Sequence, residues 1–392
     1  MTTARADIDA IASELIDTRR RLHRRPELSN EERETQRLIT ERLNELGLED
    51  VRPSAGTGVT ALVRGARPGP NLLWRADIDG LPIDEGTGLP FSSENAGVMH
   101  ACGHDGHVAI ALGLARLVQA RREALAGTLR FAFQPAEERI GGAKPMIDEG
   151  ILEEPRVDRV FGLHIIAEQP LGTVSAPAGP VFATATHFRI IIRGRGGHAS
   201  APQQTVDPIV TAAHAVVALQ TVVSRNTGPE ETAVLTVGRI EGGKRGNIIP
   251  DEVMMSGSIR TFERRVLDRV LQRADEILAG VTQAFGGEYR FDHSSLPAVV
   301  NDAECAAIVQ RAAIDLLGAD AVLEQRLTGS DDMALFTEAR PGCYFLLGGG
   351  NIARGIAGPH HHPTFDFDED CLALGTELAL RVVEGASGSA LG

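Results

Sequence analysis

Five apolar runs of strand length, at 58–64, 71–76, 128–133, 159–163 and 342–347, punctuate the chain, with helical-period segments at 107–123 and 143–150 between some of them. A run without polar alternation is a strand covered on both faces. Strands interleaved with helices therefore predict a mixed α/β sheet packed under helices. Residues 7–24 predict a helix with Ile8, Ile11, Leu15 and Leu22 on one face. Its cations, Arg19-Arg20-Arg21 with Arg24-Arg25, read as a solvated face suited to a helix C-terminus. Ser29 and Glu32 have capping-box spacing and are expected to open a helix that stops at Gly47.

Residues 184–293 follow a different pattern. Phe188, Ile190 and Ile192 alternate along a strand, and Asp207-Pro208 supplies the cap and first turn of a helix. Two strands follow, with Ala233, Leu235 and Val237 on one face of the first and Val253, Met255 and Ile259 on one face of the second. A second helix carries Val266, Val270, Ala274, Leu278 and Val281, and Tyr289 and Phe291 mark a last strand. The order β-α-β-β-α-β is that of a ferredoxin-like sandwich. The 392 residues then divide into an α/β domain from 1–182 and 296–392 and an inserted α+β domain over 183–295.

The net charge of −14 argues against nucleic acid and offers no basic patch to anionic lipid. No apolar run approaches the ~20 residues that span a bilayer, and the polar N-terminus lacks a signal-peptide core. Four cysteines without paired spacing suit a reducing compartment, so a cytoplasmic location is expected.

Three strand ends carry ionisable groups. The run 71–76 leads into Asp77 and Asp79, 128–133 into Gln134-Pro-Ala-Glu137-Glu138, and 159–163 into His164. Ligands of open α/β sheets gather at the carboxyl ends of strands, so these groups can converge. The segment His100-Ala-Cys102-Gly-His104-Asp105-Gly-His107 precedes a helix and is dense in soft metal donors, with Asp105 placed to orient a histidine. A third cluster, His360-His361-His362-Pro363, raises to six the histidines held by two segments, out of 12 in the chain. Adjacent carboxylates at Glu137-Glu138 suit a division of labour, one binding metal and the other accepting the proton of a water. A nucleophilic Cys102 with His104 as base is the alternative that needs no metal.

In these residues the chain resembles the amidohydrolase branch of the aminoacylase and carboxypeptidase superfamily, which includes hippurate and indoleacetyl-amino-acid hydrolases. The likeness rests on Arg75-Ala-Asp-Ile-Asp-Gly-Leu-Pro82, Met99-His-Ala-Cys-Gly-His-Asp-Gly-His107, Gln134-Pro-Ala-Glu-Glu138, Gly162-Leu-His164, Gly196-Gly-His-Ala199 and His361-x-Pro363, in matching order. The resemblance implies two divalent metal ions, zinc or manganese foremost and cobalt or nickel as alternatives, held by Cys102, His104, Glu138, His164 and His361. It implies Glu137 as general base and Asp79 as a group that orients a ligand. His198 would reach the site of a partner subunit in a homodimer or larger homo-oligomer, with Asn247 and Arg260 holding the substrate and its carboxylate. The inserted domain would be a lid and dimerisation domain.

Two departures stand out. His362 fills the serine position of the usual His-Ser-Pro and competes with His361 as ligand, and Ser330-Asp331-Asp332 replaces the more usual small residue-Glu-Asp. Asp77 stands where many superfamily members carry a ligand histidine and is not counted as a ligand. The implied activity is hydrolysis of small N-acyl amino acids. A dipeptidase or carboxypeptidase of the same superfamily, or a non-catalytic metal-dependent binding protein, is the alternative.

Overall fold

The structure, a computed structural model, describes residues 3–356 and 358–391. It divides into two units: Met1–Val181 with Val299–Arg326 and Asp331–Gly392, and Phe182–Ala298 with Leu327–Ser330.

The first unit is built on an eight-stranded sheet. In chain order its strands are β1 (Glu49–Ser54), β2 (Gly58–Arg64), β3 (Arg67–Asp77), β4 (Ala126–Gln134), β5 (Arg159–Pro170), β6 (Val174–Ser175), β7 (Val322–Leu323) and β8 (Gly342–Gly350). Across the sheet they run β1-β2-β4-β3-β5-β8-β6-β7. The pairs β4/β3, β3/β5 and β5/β8 are parallel, whereas β1/β2 and β2/β4 are antiparallel. Every residue of β4 and β8 is buried, which is why neither alternates polar with apolar. Helices α1 (Thr3–Arg24), α2 (Arg33–Glu45), α3 (His104–Ala120) and Asp370–Ser387 cover the sheet and share one core with it, including Leu15, Trp74, Val108, Leu112, Phe345 and Leu378. From His104 to Ala115 α3 is buried on every side, as a helix without a polar face must be.

Three local expectations change. The strand expected to end at His164 continues to Pro170, because β8 supplies ladder partners past that point, Leu346 opposite His164 and Gly348 opposite Ile166. The capping box does not form. The Glu27 carboxylate instead accepts the amides of Arg33, Glu34 and Thr35 at 3.1, 3.0 and 2.9 Å. Ser29 turns to Asp79 (2.7 Å), and Glu32 to Thr57 (2.5 Å) and the Ala136 amide (2.9 Å). Finally, Arg19 is not solvated. It follows Leu15 by four residues and precedes Leu22 by three, so it lies on the apolar stripe of α1. There it is buried against Asp105, Asp366 and Glu369 and between the rings of Phe91 and Phe367.

The second unit is a four-stranded antiparallel sheet in the order Ala233–Gly242, Glu252–Thr261, Ala185–Arg193, Glu288–Leu296, with helices Pro208–Asn226 and Arg264–Phe285. This is the ferredoxin-like arrangement that the strand and helix periods predict. Asp207 caps its helix as expected, accepting the Ile209 amide at 2.8 Å. Phe188, Ile190, Ile192, Leu219, Met255, Val270 and Leu278 form a separate core. Residues 327–330 belong to this unit through the Ala183 amide, which reaches the Leu327 and Gly329 carbonyls at 3.1 and 2.9 Å. Among the described residues no helix is long and apolar enough to cross a membrane.

Candidate metal centre

Parallel register brings the site together in the first unit. Asp77 closes β3 opposite Gln134 at the end of β4, and Arg75 lies opposite Gly162, two residues before His164 on β5. Beyond β4, Ala136 and Ile140 take left-handed backbone angles (φ 52° and 53°) around the turn Glu137–Arg139. Such conformations cost a non-glycine residue roughly 1–3 kcal/mol and cluster at functional sites. Gly142 follows that turn so closely that a Cβ there would stand 1.7 Å from the Pro135 carbonyl oxygen, which only glycine accommodates. Gly103 (φ 92°) supplies the left-handed step between Cys102 and the first residue of α3, His104.

The donors fall into overlapping sets with ligand atoms within 4.8 Å of one another: Cys102, Glu138 and His361; His104, Glu137 and Glu138; Cys102, His164 and His360. The His104 ring donates through Nδ1 to the Asp79 carbonyl (2.9 Å) with the Asp79 carboxylate at 3.2 Å. Its Nε2 is buried, makes no hydrogen bond, and faces Asp77 Oδ2 at 3.6 Å and Glu138 Oε1 at 4.0 Å. Asp79 Oδ2 in turn accepts Ser29 Oγ and the Glu138 amide (3.1 Å), so Asp79 sits behind one donor and under another. His164 places Nδ1 on the Ile165 carbonyl (2.8 Å), leaving Nε2 3.5 Å from Cys102 Sγ. His361 has φ 59°, donates its amide to the Ala101 carbonyl (2.8 Å), and brings Nε2 to 3.3 Å from Glu138 Oε1. His362 turns away: it is exposed and bonded to Thr364 (2.8 Å).

Asp77 borders the same space, in a set with His104 and His107, and its two carboxylate oxygens already serve other side chains. It holds His107 Nδ1 (2.5 Å) and Arg75 Nη1 (2.7 Å), while His107 Nε2 accepts the Ile165 amide (2.9 Å). Both His107 nitrogens are thereby occupied. Arg75 is buried and also meets Asp331 and Asp332 (3.1 and 3.0 Å), Gln134 (2.9 Å) and Tyr344 (3.1 Å). Asp105, expected to orient a site histidine, instead serves Arg19 and His23 (2.8 Å). His23 spans from Asp105 to Glu85 (3.4 Å), which also holds the Ser93 amide (2.6 Å). The sequence places His107 and His360 in donor-rich segments and Arg75 in a motif, without a role for any of the three. His107 carries a usable signal, since three residues after His104 on one helix the two rings share a face.

The electrostatics are those of a cation site. Burial and the Glu138 and Glu137 carboxylates push the Cys102 thiol well above its ordinary range. Burial, Asp331 and Glu138 raise Glu137 likewise. Burial opposes charge on His104, yet Asp77 and Asp79 raise it to about 10. A bound cation reverses this balance, stabilising thiolate and carboxylate and displacing the imidazole proton. The buried His104 Nε2, which makes no hydrogen bond, and the mixed sulfur, nitrogen and oxygen donors around it fit a divalent metal.

The other sequence-predicted residues lie in the second unit. His198 pairs with Ile248 in a two-residue ladder, and the Asn247 carbonyl accepts the Ala199 amide (3.2 Å), so the fold brings these two segments together. His198 is exposed, and its Nδ1 accepts the Ser200 amide (3.1 Å) and meets Ser200 Oγ (2.8 Å). With Nδ1 accepting, the ring proton sits on Nε2. Arg260 is half-buried, with Nη1 3.4 Å from the Thr184 carbonyl.

Residues 73–385 match the model of Peptidase family M20/M25/M40. The chain is 39% identical over 382 residues to an N-acetylcysteine deacetylase of Bacillus subtilis, covering 96% of this chain and 98% of that protein. It is 38% identical over 373 residues to the IAA-amino acid hydrolase ILR1-like 2 of Arabidopsis thaliana, covering 93% and 83%. A crystal structure from Bacillus subtilis, described as a dinuclear metal-binding peptidase from the M20 family, superposes with a TM-score of 0.86 at 33% identity, covering 97% of this chain and 100% of that one. The parallel-sheet site and these matches agree, and the chain belongs to Peptidase family M20/M25/M40.

Proposed function

We propose that this protein hydrolyses the amide bond of N-acyl amino acids, using two divalent metal ions, to release a carboxylic acid and a free amino acid. The observation that carries the reading is the buried Glu137 beside Glu138: Glu138 lies in donor sets with both His104 and the Cys102–His361 pair, and Glu137, which shares only the His104 set with it, is assigned proton transfer. A divalent pair, when bound, supplies Lewis acidity to a substrate carbonyl and makes water a better nucleophile near neutral pH. Cys102, His104, Glu138, His164 and His361 hold it, and Asp79 and Asp77 fix the histidine rings. The thiolate and imidazoles favour zinc, manganese, cobalt or nickel over magnesium or calcium.

Glu137 takes a proton from the attacking water and returns it to the departing amine. The His198 Nε2–H donates to the oxyanion formed in a second copy's site. Arg260 and Asn247 read the free carboxylate of the amino acid. The relatives' names, a deacetylase of N-acetylcysteine and a hydrolase of IAA-amino acids, support this substrate class.

The test is a panel of N-acetyl, N-benzoyl and N-indoleacetyl amino acids, their carboxamides, and dipeptides, assayed after chelation and after each metal is returned. Chelation is expected to abolish activity and metal to restore it. Free acids should exceed their amides by about tenfold to a hundredfold, the worth of a charge-assisted contact of roughly 1.5–3 kcal/mol. Activity in metal-free protein would reject the reading, and equal rates on acid and amide would remove Arg260 and Asn247 from the site. A preference for dipeptides over every N-acyl amino acid would make the enzyme a peptidase.

A further inference from the structure

His360 stands one residue before the proposed ligand His361 and within reach of Cys102 and His164, but both of its ring nitrogens already face protein partners. Its ring is wedged against Phe365 (centroids 4.7 Å apart) and His164 (5.3 Å). The Ala167 backbone amide donates to Nε2 at 3.3 Å. The Glu168 carboxylate lies 3.4 Å from the same nitrogen and accepts the His360 backbone amide, also at 3.4 Å. Nδ1 faces Cys102 Sγ at 3.7 Å. An imidazole nitrogen that accepts an amide hydrogen carries no proton, so the single ring proton of a neutral His360 lies on Nδ1. That nitrogen is then a donor and has no lone pair for a metal.

We propose that His360 is a positioning residue that donates an Nδ1–H···S hydrogen bond to the Cys102 thiolate, tuning the sulfur as a metal ligand without binding the metal. The inference rests on Cys102 being a ligand, as proposed above. Groups behind a ligand set its orientation and electron donation, and hydrogen bonds to a coordinating sulfur govern the properties of the metal. The backbone of β5 is what makes this possible. The strand runs past His164, so its Ala167 amide is in place to fix which His360 nitrogen carries the proton.

The experiment is cobalt substitution of the whole protein, read by its absorption spectrum and by metal analysis. A cobalt–thiolate bond gives a sulfur-to-metal charge-transfer band. A hydrogen bond to sulfur lowers the energy of the sulfur lone pairs and moves that band to shorter wavelength. His360→Phe is expected to shift the band to longer wavelength while cobalt content and the ligand-field bands stay unchanged. His360→Asn, whose amide nitrogen stands close to the place of Nδ1, is expected to restore the wild-type position. Should phenylalanine not fold, His360→Ala replaces it with the same expected shift.

A band in wild type that does not move in His360→Phe overturns the inference and leaves Cys102 as a ligand. Loss of cobalt, or altered ligand-field bands, in His360→Phe and His360→Asn alike makes His360 a ligand and also overturns it. Absence of any charge-transfer band in cobalt-loaded wild type overturns the assignment of Cys102 itself, and the inference with it.

Discussion

At the scale of single residues, the site is a set of short-range decisions about which atom of each side chain is left over. His104 has Nδ1 engaged and Nε2 idle, His164 turns Nε2 toward sulfur, and His107 has neither nitrogen to spare. His104 and His107, three positions apart on α3, thus differ in what they can do, and the difference lies in their partners. Glu137 and Glu138 are likewise adjacent but unequal, since the Glu138 amide is tied to Asp79 and its carboxylate faces His104 and His361. Glu137→Gln keeps shape and burial and removes only the basic oxygen. It is expected to retain both metal ions and the wild-type melting temperature while kcat falls by about 10²–10⁴-fold. Near-normal turnover at full metal content would take the role of base away from Glu137.

Secondary-structure elements connect the site to parts of the chain that look unrelated to it. The start of α2 is capped by Glu27, which frees Ser29 and Glu32 to hold Asp79 and Ala136 from behind. Glu27→Ala is expected to cost about 1 kcal/mol of stability, as loss of a helix cap does, with metal affinity unchanged. Ser29→Ala should do the reverse, leaving α2 intact and weakening metal binding by about 10–100-fold. Denaturation and chelator competition on the two variants check both halves, and equal behaviour would return Ser29 to a capping role. Helix α1 is anchored through His23 as well as Arg19. Burial opposes the His23 charge, but Asp105 and Glu85 raise it to about 9 from 6.5. Because the folded value is the higher one, this contribution, about 3 kcal/mol, is complete below pH 6.5 and is lost as pH rises through 9. The stability advantage of wild type over His23→Gln should shrink over that window in urea titrations. A constant difference from pH 6 to 10 would mean His23 acts by packing alone.

The whole molecule is two units with separate cores, and the residues proposed for function fall in both: every proposed metal donor in the first, His198, Asn247 and Arg260 in the second. On the proposed reading His198 serves a second copy of the chain, so activity requires a dimer. His198→Ala and Glu137→Gln should each be nearly inactive alone. Mixed and allowed to exchange subunits, they should regain activity, up to one working site per heterodimer. If exchange is demonstrated and no activity returns, His198 has no role across subunits.

The sequence by itself determined the two-unit plan and the chemical cast. Short, largely apolar runs between helical-period segments predict strands covered on both faces, and the β-α-β-β-α-β periods around Phe188 and Val270 allow one compact sandwich. Donors at strand ends had to converge once the strands ran parallel. What the sequence left open was how polar partners pair over long separations. The pairing of Arg19 with Asp366, Ser29 with Asp79 and Cys102 with His360 spans 347, 50 and 258 residues. Local periodicity carries no information about such contacts. Ser29 and Glu32 satisfy the local rule for a capping box, and only the folded arrangement shows Glu27 winning that place. The same holds for Asp105, drawn to Arg19 and His23 rather than to a site histidine, and for His360, whose protonated nitrogen is set by a backbone amide on β5. A hydrogen bond is chosen by which donor the tertiary structure brings within reach of an acceptor, and that choice is made only when the sheet and its covering helices have packed.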